Sequence, residues 1–175
     1  MTSELLGLKK GEVRLVDHNE KWVGLFLKEK KLLQNNLKDK AVVVEHAGST
    51  AISGIKAKPI IDIWVGARLI KDFEKIIPAL EKSKYSKIRT TKAPKFHFVF
   101  AKGNSKVGTT HYLHLVKYKG KIWCDILKFR DILNGNTNLA KRYEDLKLKL
   151  AKKYADKRFL YIKGKDAFVK KALEG

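Results

Sequence analysis

The sequence contains one cysteine and no long hydrophobic run. Cys124 has no second cysteine in the chain with which to form a disulfide, which is typical of a reducing compartment. No apolar stretch approaches the roughly 18 residues that a membrane span requires. The N-terminal residues MTSELLGLKKG also lack the apolar segment of a secretory signal. These absences predict a cytoplasmic protein that does not cross a membrane.

The chain has few acidic residues, and arginine is scarce among its basic residues. Lysine and arginine total 39 against 18 acidic residues, giving a formal net charge of +21, yet only six of the basic residues are arginine. A nucleic-acid reader more often clusters arginines on one element with interleaved aromatic side chains. Two interpretations stay open: a solvated lysine-rich surface, or a surface that attracts phosphate-bearing partners, nucleic acid included.

The length and the apolar content indicate a real hydrophobic core. A chain of 175 residues with 44% hydrophobic content fits one compact domain. We expect an α/β core over residues 1–120 and a helical annex over residues 121–175 that packs on this core. The sequence does not indicate an oligomeric state.

Apolar periodicity predicts a mixed sheet of about five strands with flanking helices, an α/β class with α+β character. Alternating or β-branched runs predict strands over residues 12–16, 41–46, 59–65, 95–103 and 110–118. The second is expected in the centre of the sheet, and the last two as a hairpin. Helical spacing predicts helices over residues 22–37, 69–82, 122–133, 139–154 and 166–173. Pro78 is expected to kink or break the second helix.

A Gly-Ser turn separates two predicted strands in the segment EHAGSTAISGIKAKPIIDIWVG, residues 45–66. Gly48 lets a ligand approach the backbone closely, and Ser49 and Thr50 can donate to an anion if a helix begins there. The turn is therefore a candidate phosphate cradle. A plain strand-to-helix connection capped by Ser49 or Thr50 fits the local pattern at least as well.

Asp62 is a single carboxylate inside the apolar run IIDIWV. An ionised carboxylate in such a strand is costly unless it is paired, hydrogen-bonded or bound to a metal. The candidate partners are Lys58, Arg130 or a divalent cation such as magnesium, which prefers oxygen ligands. Asp62 is therefore the expected centre of a functional site.

Two histidines are candidates for the same site. His46 immediately precedes the Gly-Ser turn, and His114 lies on the strand predicted over residues 110–118. By strand alternation, His111 and His114 face opposite sides of the sheet, which argues against a metal site that both share. For His46 and His114, a functional role and a role as a satisfied core histidine both stay open.

Five separated blocks resemble the GrpB family, a group of uncharacterised bacterial proteins related in fold to nucleotidyltransferases. These blocks are residues 45–65, HYLH at 111–114, KFRDIL at 128–133, YEDLKLKLA at 143–151 and YIKGKDAFV at 161–169. The resemblance extends from about Val13 to Val169. It implies a nucleotidyltransferase-like sheet with C-terminal helices, and no known substrate.

The resemblance also implies a site with an incomplete set of acidic residues. Gly48 and Ser49 match the Gly-Ser turn of the superfamily, and Asp62 matches the second of two acids that lie one residue apart. The first acid is replaced by Ile60, which cannot bind a metal. The two-metal clamp that acts in phosphoryl transfer is therefore damaged.

Three functions follow from this resemblance and the charge. In the first, Asp62, helped by His46 or His114 and by a carboxylate from the annex, binds one magnesium ion, and the protein transfers a nucleotidyl or phosphoryl group to an unknown acceptor. In the second, the fold has lost catalysis and binds a nucleotide or another phosphorylated small molecule. The third is polyanion or RNA binding. The expected phosphate-binding residues are Gly48, Ser49, Thr50, Lys58, Arg130, Lys147 and Lys165.

Overall fold

The computed structural model describes residues 5–38, 43–88, 94 and 96–175. Its strands are β1 (Val43–Ala47), β2 (Ile61–Ala67), β3 (Ser86–Ile88), β4 (Phe98–Asn104) and β5 (Gly108–Lys117). Its helices are α1 (Lys21–Leu37), α2 (Phe73–Lys82), α3 (Lys121–Gly135), α4 (Thr137–Lys153), α5 (Arg158–Lys163) and α6 (Asp166–Glu174). Short 3₁₀ turns lie at Ser49–Ala51 and Ile70–Asp72.

The strands form one mixed sheet in the order β1-β2-β5-β4-β3. Strand β2 pairs antiparallel with β1 and parallel with β5, and β4 pairs antiparallel with both β5 and β3. This arrangement confirms the predicted fold class of a mixed sheet with flanking helices. In the described part of the chain, no helix is long and apolar enough to cross a membrane.

The two faces of β2 are covered by different helices. Ile61 and Ile63 belong to the main hydrophobic core, to which α1 and α2 contribute. Trp64 lies on the opposite face, where it clusters with Trp123 of α3. Because side chains alternate along a strand, Asp62 shares the face of Trp64. The sheet therefore presents Asp62 to the C-terminal helices.

The C-terminal helices also hold the segment that joins the Gly-Ser turn to β2. Ile52 and Ile55 of this segment are buried in a cluster with Phe129 of α3 and Tyr143 of α4. Phe168 of α6 packs against the same cluster. The annex is thus fixed over the turn and over the lysine-bearing connection that follows it.

The strand predicted over residues 12–16 is wrong. Within it, Val16 forms only an isolated bridge with Ala57, and the amide of Val13 donates to the carbonyl of Ala155 at 2.9 Å. The segment therefore crosses between the connection before β2 and the chain that leads into α5. Among the residues that the structure describes, no other strand lies beside it to extend a ladder.

Other boundaries differ from the predictions in informative ways. Strand β1 lies at the edge of the sheet, and its apolar residues reflect cover by helices rather than a central position. Helix α2 continues through the exposed Pro78 to Lys82. The short elements β3 and α5 were not predicted. Residues 41, 42 and 95 of the predicted strands lie outside the described residues.

Candidate anion-binding site

Gly48 and Asp62 are in direct contact beside the start of β2. Gly48 has φ +80° and ψ −176°, and a Cβ at this position would lie 2.4 Å from Oδ2 of Asp62 and 2.9 Å from its Cβ. The strand register explains the contact, because Ala47 pairs with Asp62. The turn therefore needs a glycine both for its backbone conformation and for the approach of the carboxylate.

Three cations act on Asp62 without contacting it. The side chain is half-buried, and burial raises the pKa of its carboxyl while Lys58, Lys165 and Arg158 act to lower that pKa. No direct ion pair or hydrogen bond reaches the carboxylate from any side chain in the described ranges. Asp62 is thus held among cations rather than paired with one of them. We call Asp62, Lys58, Arg158 and Lys165 the cationic cleft.

The two lysines of the cleft both lie close to one aromatic ring. The ammonium groups of Lys58 and Lys165 lie 5.8 Å and 5.0 Å from the ring centroid of Tyr161, whose side chain is buried. Burial lowers the pKa of Lys58 to about 8, Asp62 acts against that decrease, and Lys165 and Arg158 add to it. These cations repel one another, so a bound anion would relieve the repulsion.

Arg158, the first residue of α5, completes the cleft from the annex. Its Nη1 donates to the hydroxyl of Tyr112 at 2.9 Å, and its guanidinium carbon lies 5.8 Å from the centre of the Tyr112 ring. Tyr112 is the neighbour of Asp62 across the parallel β2–β5 pair. Sequence reasoning missed Arg158. The available signal was an arginine just before a family block in a chain whose basic residues are mostly lysine.

Lys147 is committed to the backbone rather than to the cleft. Glu144 and Lys147 of α4 both hydrogen-bond to the backbone of Lys56. The amide of Lys56 donates to Oε1 of Glu144 at 2.6 Å, and Nζ of Lys147 donates to the carbonyl of Lys56. The Lys147 side chain is fully buried. We infer that this pair positions the connection carrying Lys58.

The burial of Lys147 predicts a pH dependence of stability. Burial, with Lys165, lowers the pKa of Lys147 from its ordinary 10.5 to about 7. Between these values the unfolded chain holds a proton that the folded chain has released, so stability rises with pH by up to about 1.4 kcal/mol per unit. We expect Lys147→Met to show a shallower rise between pH 7 and pH 10 in urea unfolding. Parallel curves for both proteins would contradict this.

Arg130 and Thr50 are engaged elsewhere. Nη1 of Arg130 donates to the Glu45 carboxylate at 3.0 Å and to the carbonyl of His46 at 2.8 Å, which ties α3 to β1. The Thr50 hydroxyl is buried, donates to the carbonyl of Ile60 at 3.3 Å and hydrogen-bonds with Nε2 of His46 at 3.0 Å. Ser49 opens the 3₁₀ turn and is half-buried next to Gly48.

The structure does not bring His46 to Asp62. His46 stacks on Phe26 of α1 with ring centroids 4.8 Å apart, and therefore lies on the opposite face of the sheet. Burial, with Arg130 and His111, lowers the pKa of His46 to about 4. The imidazole is neutral at pH 7 and serves the packing around the turn.

His114 shares the face of Asp62 but belongs to an aromatic stack. Its ring lies 4.2 Å from that of Trp64 at an angle of 7°, and its Nδ1 hydrogen-bonds with Nε2 of His97 at 2.9 Å. Burial, with His97 and Lys58, lowers its pKa to about 3. A neutral, stacked imidazole with one nitrogen already engaged is a weak candidate for proton transfer or for binding a metal.

The residues around Asp62 do not fit a magnesium ion held by the protein. Across the described residues, no group of three or more histidine, cysteine or acidic side chains is placed to hold a metal. Ile60 is buried in place of the first acid, and the strand neighbours of Asp62 are Ala47 and Tyr112. The surrounding cations would also repel a divalent cation.

The fold that carries this cleft is nucleotidyltransferase-like. The structure of Cid1 in complex with its short product ApU aligns with a TM-score of 0.50 and 14% identity, over 78% of this chain and 42% of Cid1. At that identity the similarity shows the fold alone.

The chain belongs to the GrpB family, because the family profile described as GrpB protein matches residues 12–175. Glutamate-rich protein GrpB of Alkalihalophilus pseudofirmus is 41% identical over 97% of this chain and 98% of its own length. UPF0157 protein YqkA of Bacillus subtilis is 32% identical over 94% of this chain and 47% of its own length. The crystal structure of conserved protein GrpB from Enterococcus faecalis aligns with a TM-score of 0.81 and 29% identity, over 92% and 95% of the two chains. The family resemblance is confirmed.

Proposed function

We propose that the cationic cleft binds a phosphorylated small molecule, with nucleotides as the class that the fold favours. One observation carries the proposal: three cations surround Asp62, and none of them forms an ion pair with it. A structural salt bridge would place one cation against the carboxylate. Cations that repel one another and are not paired with the carboxylate instead favour an anionic guest.

The position of the cleft supports a small ligand. Lys58 precedes β2, Arg158 begins α5, and Lys165 lies between α5 and α6, so the cations come from the sheet side and from the annex. Clefts between packed elements are common ligand sites. Gly48 leaves the backbone beside Asp62 without a side chain, which lets a ligand approach it.

Titration of ATP, AMP and inorganic phosphate at low salt with EDTA present tests this proposal. We expect saturable binding by the wild-type protein and an affinity at least about tenfold lower for the Lys58→Gln, Lys165→Gln double variant, because two phosphate-facing charges are removed. Lys75→Gln, on an exposed site of α2 on the other face of the sheet, is the matched control and should bind as the wild type does. Absence of phosphate binding by the wild type would overturn the proposal.

The same titration separates the cleft from general polyanion binding. A binding mode that depends only on the net charge would weaken by a similar factor for each lysine removed, in the control and in the double variant alike. It would also favour RNA over mononucleotides, with a steep dependence on salt concentration. Either result would show that binding depends on a diffuse basic surface and not on the cationic cleft.

Nucleotidyl or phosphoryl transfer is the second candidate function. The contact of Asp62 with the Gly-Ser turn, within a nucleotidyltransferase-like fold, favours it. Labelled nucleoside triphosphates, magnesium and a panel of acceptors would test it against an Asp62→Asn variant. Transfer by the wild type that Asp62→Asn abolishes would establish the enzyme, whereas equal background turnover by both would exclude it.

A further inference from the structure

Arg158 carries two buried nitrogen atoms, Nε and Nη2, that have no hydrogen-bond partner among the described residues. Its remaining terminal nitrogen, Nη1, donates to the Tyr112 hydroxyl at 2.9 Å. Nε and Nη2 lie on the same edge of the planar guanidinium, and the bond from Nη1 to Tyr112 helps to orient that group. The edge with two parallel N–H donors is therefore positioned and left without an acceptor.

Buried donors without acceptors are costly, and native structures rarely retain them without a reason. The spacing of the two donors matches two oxygens of one carboxylate or phosphate group. Arg158 also influences the pKa values of Asp62 and Lys58, which places its charge in the cationic cleft. A ligand of that cleft would therefore supply the acceptor atoms that Nε and Nη2 lack.

The net charge of the cleft selects among oxyanions. Three cations and one carboxylate leave a net charge of about +2. A terminal phosphate monoester carries about −1.5 to −2 at pH 7 and offers three oxygens. A carboxylate or a phosphodiester contributes only one negative charge, so neither balances the cleft as well.

We propose that the Nε–Nη2 edge of Arg158 binds two oxygens of a terminal phosphate monoester. This inference rests on the proposed function and narrows it to ligands that end in a phosphomonoester. Lys58 and Lys165 balance the remaining charge, and Tyr112 orients the guanidinium. A lysine in place of Arg158 keeps the charge but cannot form the paired contact.

Titration of AMP, 3′,5′-cyclic AMP and adenosine at pH 7 and low salt tests the assignment. We expect the wild type to bind AMP at least about tenfold more tightly than cyclic AMP, and adenosine most weakly. Arg158→Lys should lower AMP affinity about tenfold, because lysine keeps the charge but loses the paired contact with two phosphate oxygens. Arg68→Lys, at an exposed position, is the matched control.

The outcomes separate the inference from the proposed function. If Arg158→Lys binds AMP as the wild type does, while the Lys58→Gln, Lys165→Gln double variant has lost it, the cleft stands and the role of Arg158 is wrong. If cyclic AMP binds as tightly as AMP, the phosphomonoester preference is wrong. If the wild type binds neither nucleotide, both proposals fail.

An unchanged melting temperature of Arg158→Lys shows that the variant is folded. A small loss of AMP affinity in Tyr112→Phe would support the role of Tyr112 in orienting the guanidinium.

Discussion

Replacing Gly48 by alanine is expected to lower the free energy of unfolding by about 3 kcal/mol. The backbone conformation of Gly48, φ +80° and ψ −176°, belongs to a region that essentially only glycine adopts, and strain there costs about 1–3 kcal/mol. The new Cβ would also lie 2.4 Å from Oδ2 of Asp62, so the carboxylate or the turn must move. In a chain of this length the melting temperature should fall by about 6 to 12 °C.

Gly54→Ala is the matched control for this experiment. Gly54 also has a positive φ, +72°, but apart from its chain neighbours no described residue has an atom within 4 Å of its Cβ position. We expect a loss of about 1 kcal/mol, which reflects the backbone conformation alone. If thermal unfolding gives the same loss of stability for the two variants, the contact with Asp62 is not the reason that the turn requires a glycine at position 48.

Asp62→Asn is expected to tighten phosphate binding at least about fivefold. Burial raises the pKa of Asp62, and Lys58, Lys165 and Arg158 act to lower it. In its ionised form the carboxylate opposes a bound phosphate, because two charges 4 Å apart interact by about 1 to 4 kcal/mol between bulk water and a protein surface. Asparagine removes that opposition and keeps nearly the same shape.

Calorimetric titration of both proteins with ATP, with magnesium and with EDTA, measures this effect. Direct binding by the cationic cleft predicts tighter binding by Asp62→Asn in both buffers. A magnesium ion held by Asp62 predicts the reverse, with wild-type binding that requires magnesium and is lost in the variant. The sign of the change therefore separates the two mechanisms.

The sequence indicates the centre of the site because its signals are local. A carboxylate in the apolar strand β2 must be compensated, and a Gly-Ser turn between strands must be close to the sheet. The structure places these two signals in contact, with Asp62 against Gly48. Lys58 is only four residues from Asp62, so its membership of the cleft also follows from a local pattern.

The residues that surround Asp62 from distant parts of the chain are placed by tertiary packing, so no local sequence pattern predicts them. Arg158 reaches Tyr112 because α5 docks on the sheet, although α5 is too short to give a clear periodic signal. Lys147 resembles a surface lysine in sequence, yet its ammonium group is buried on the Lys56 carbonyl. Neither placement follows from spacing along the chain.

The histidines show the limit of strand alternation. Alternation along β5 correctly separates His111 from His114, because His114 stacks on Trp64 on the annex face while His111 lies where Glu29 of α1 influences its pKa. Alternation cannot show that the imidazole of His114 is already engaged by His97, or that His46 faces α1. Those facts depend on which helix covers each face.

A crystal structure of the protein with magnesium and a non-hydrolysable nucleoside triphosphate tests the claim that the cationic cleft binds phosphate without a metal ion on Asp62. We predict phosphate oxygens within hydrogen-bonding distance of Arg158 and of Lys58 or Lys165, with no metal ion bound to Asp62. A magnesium ion bridging the Asp62 carboxylate and the phosphates, or a nucleotide bound away from these residues, would contradict the claim.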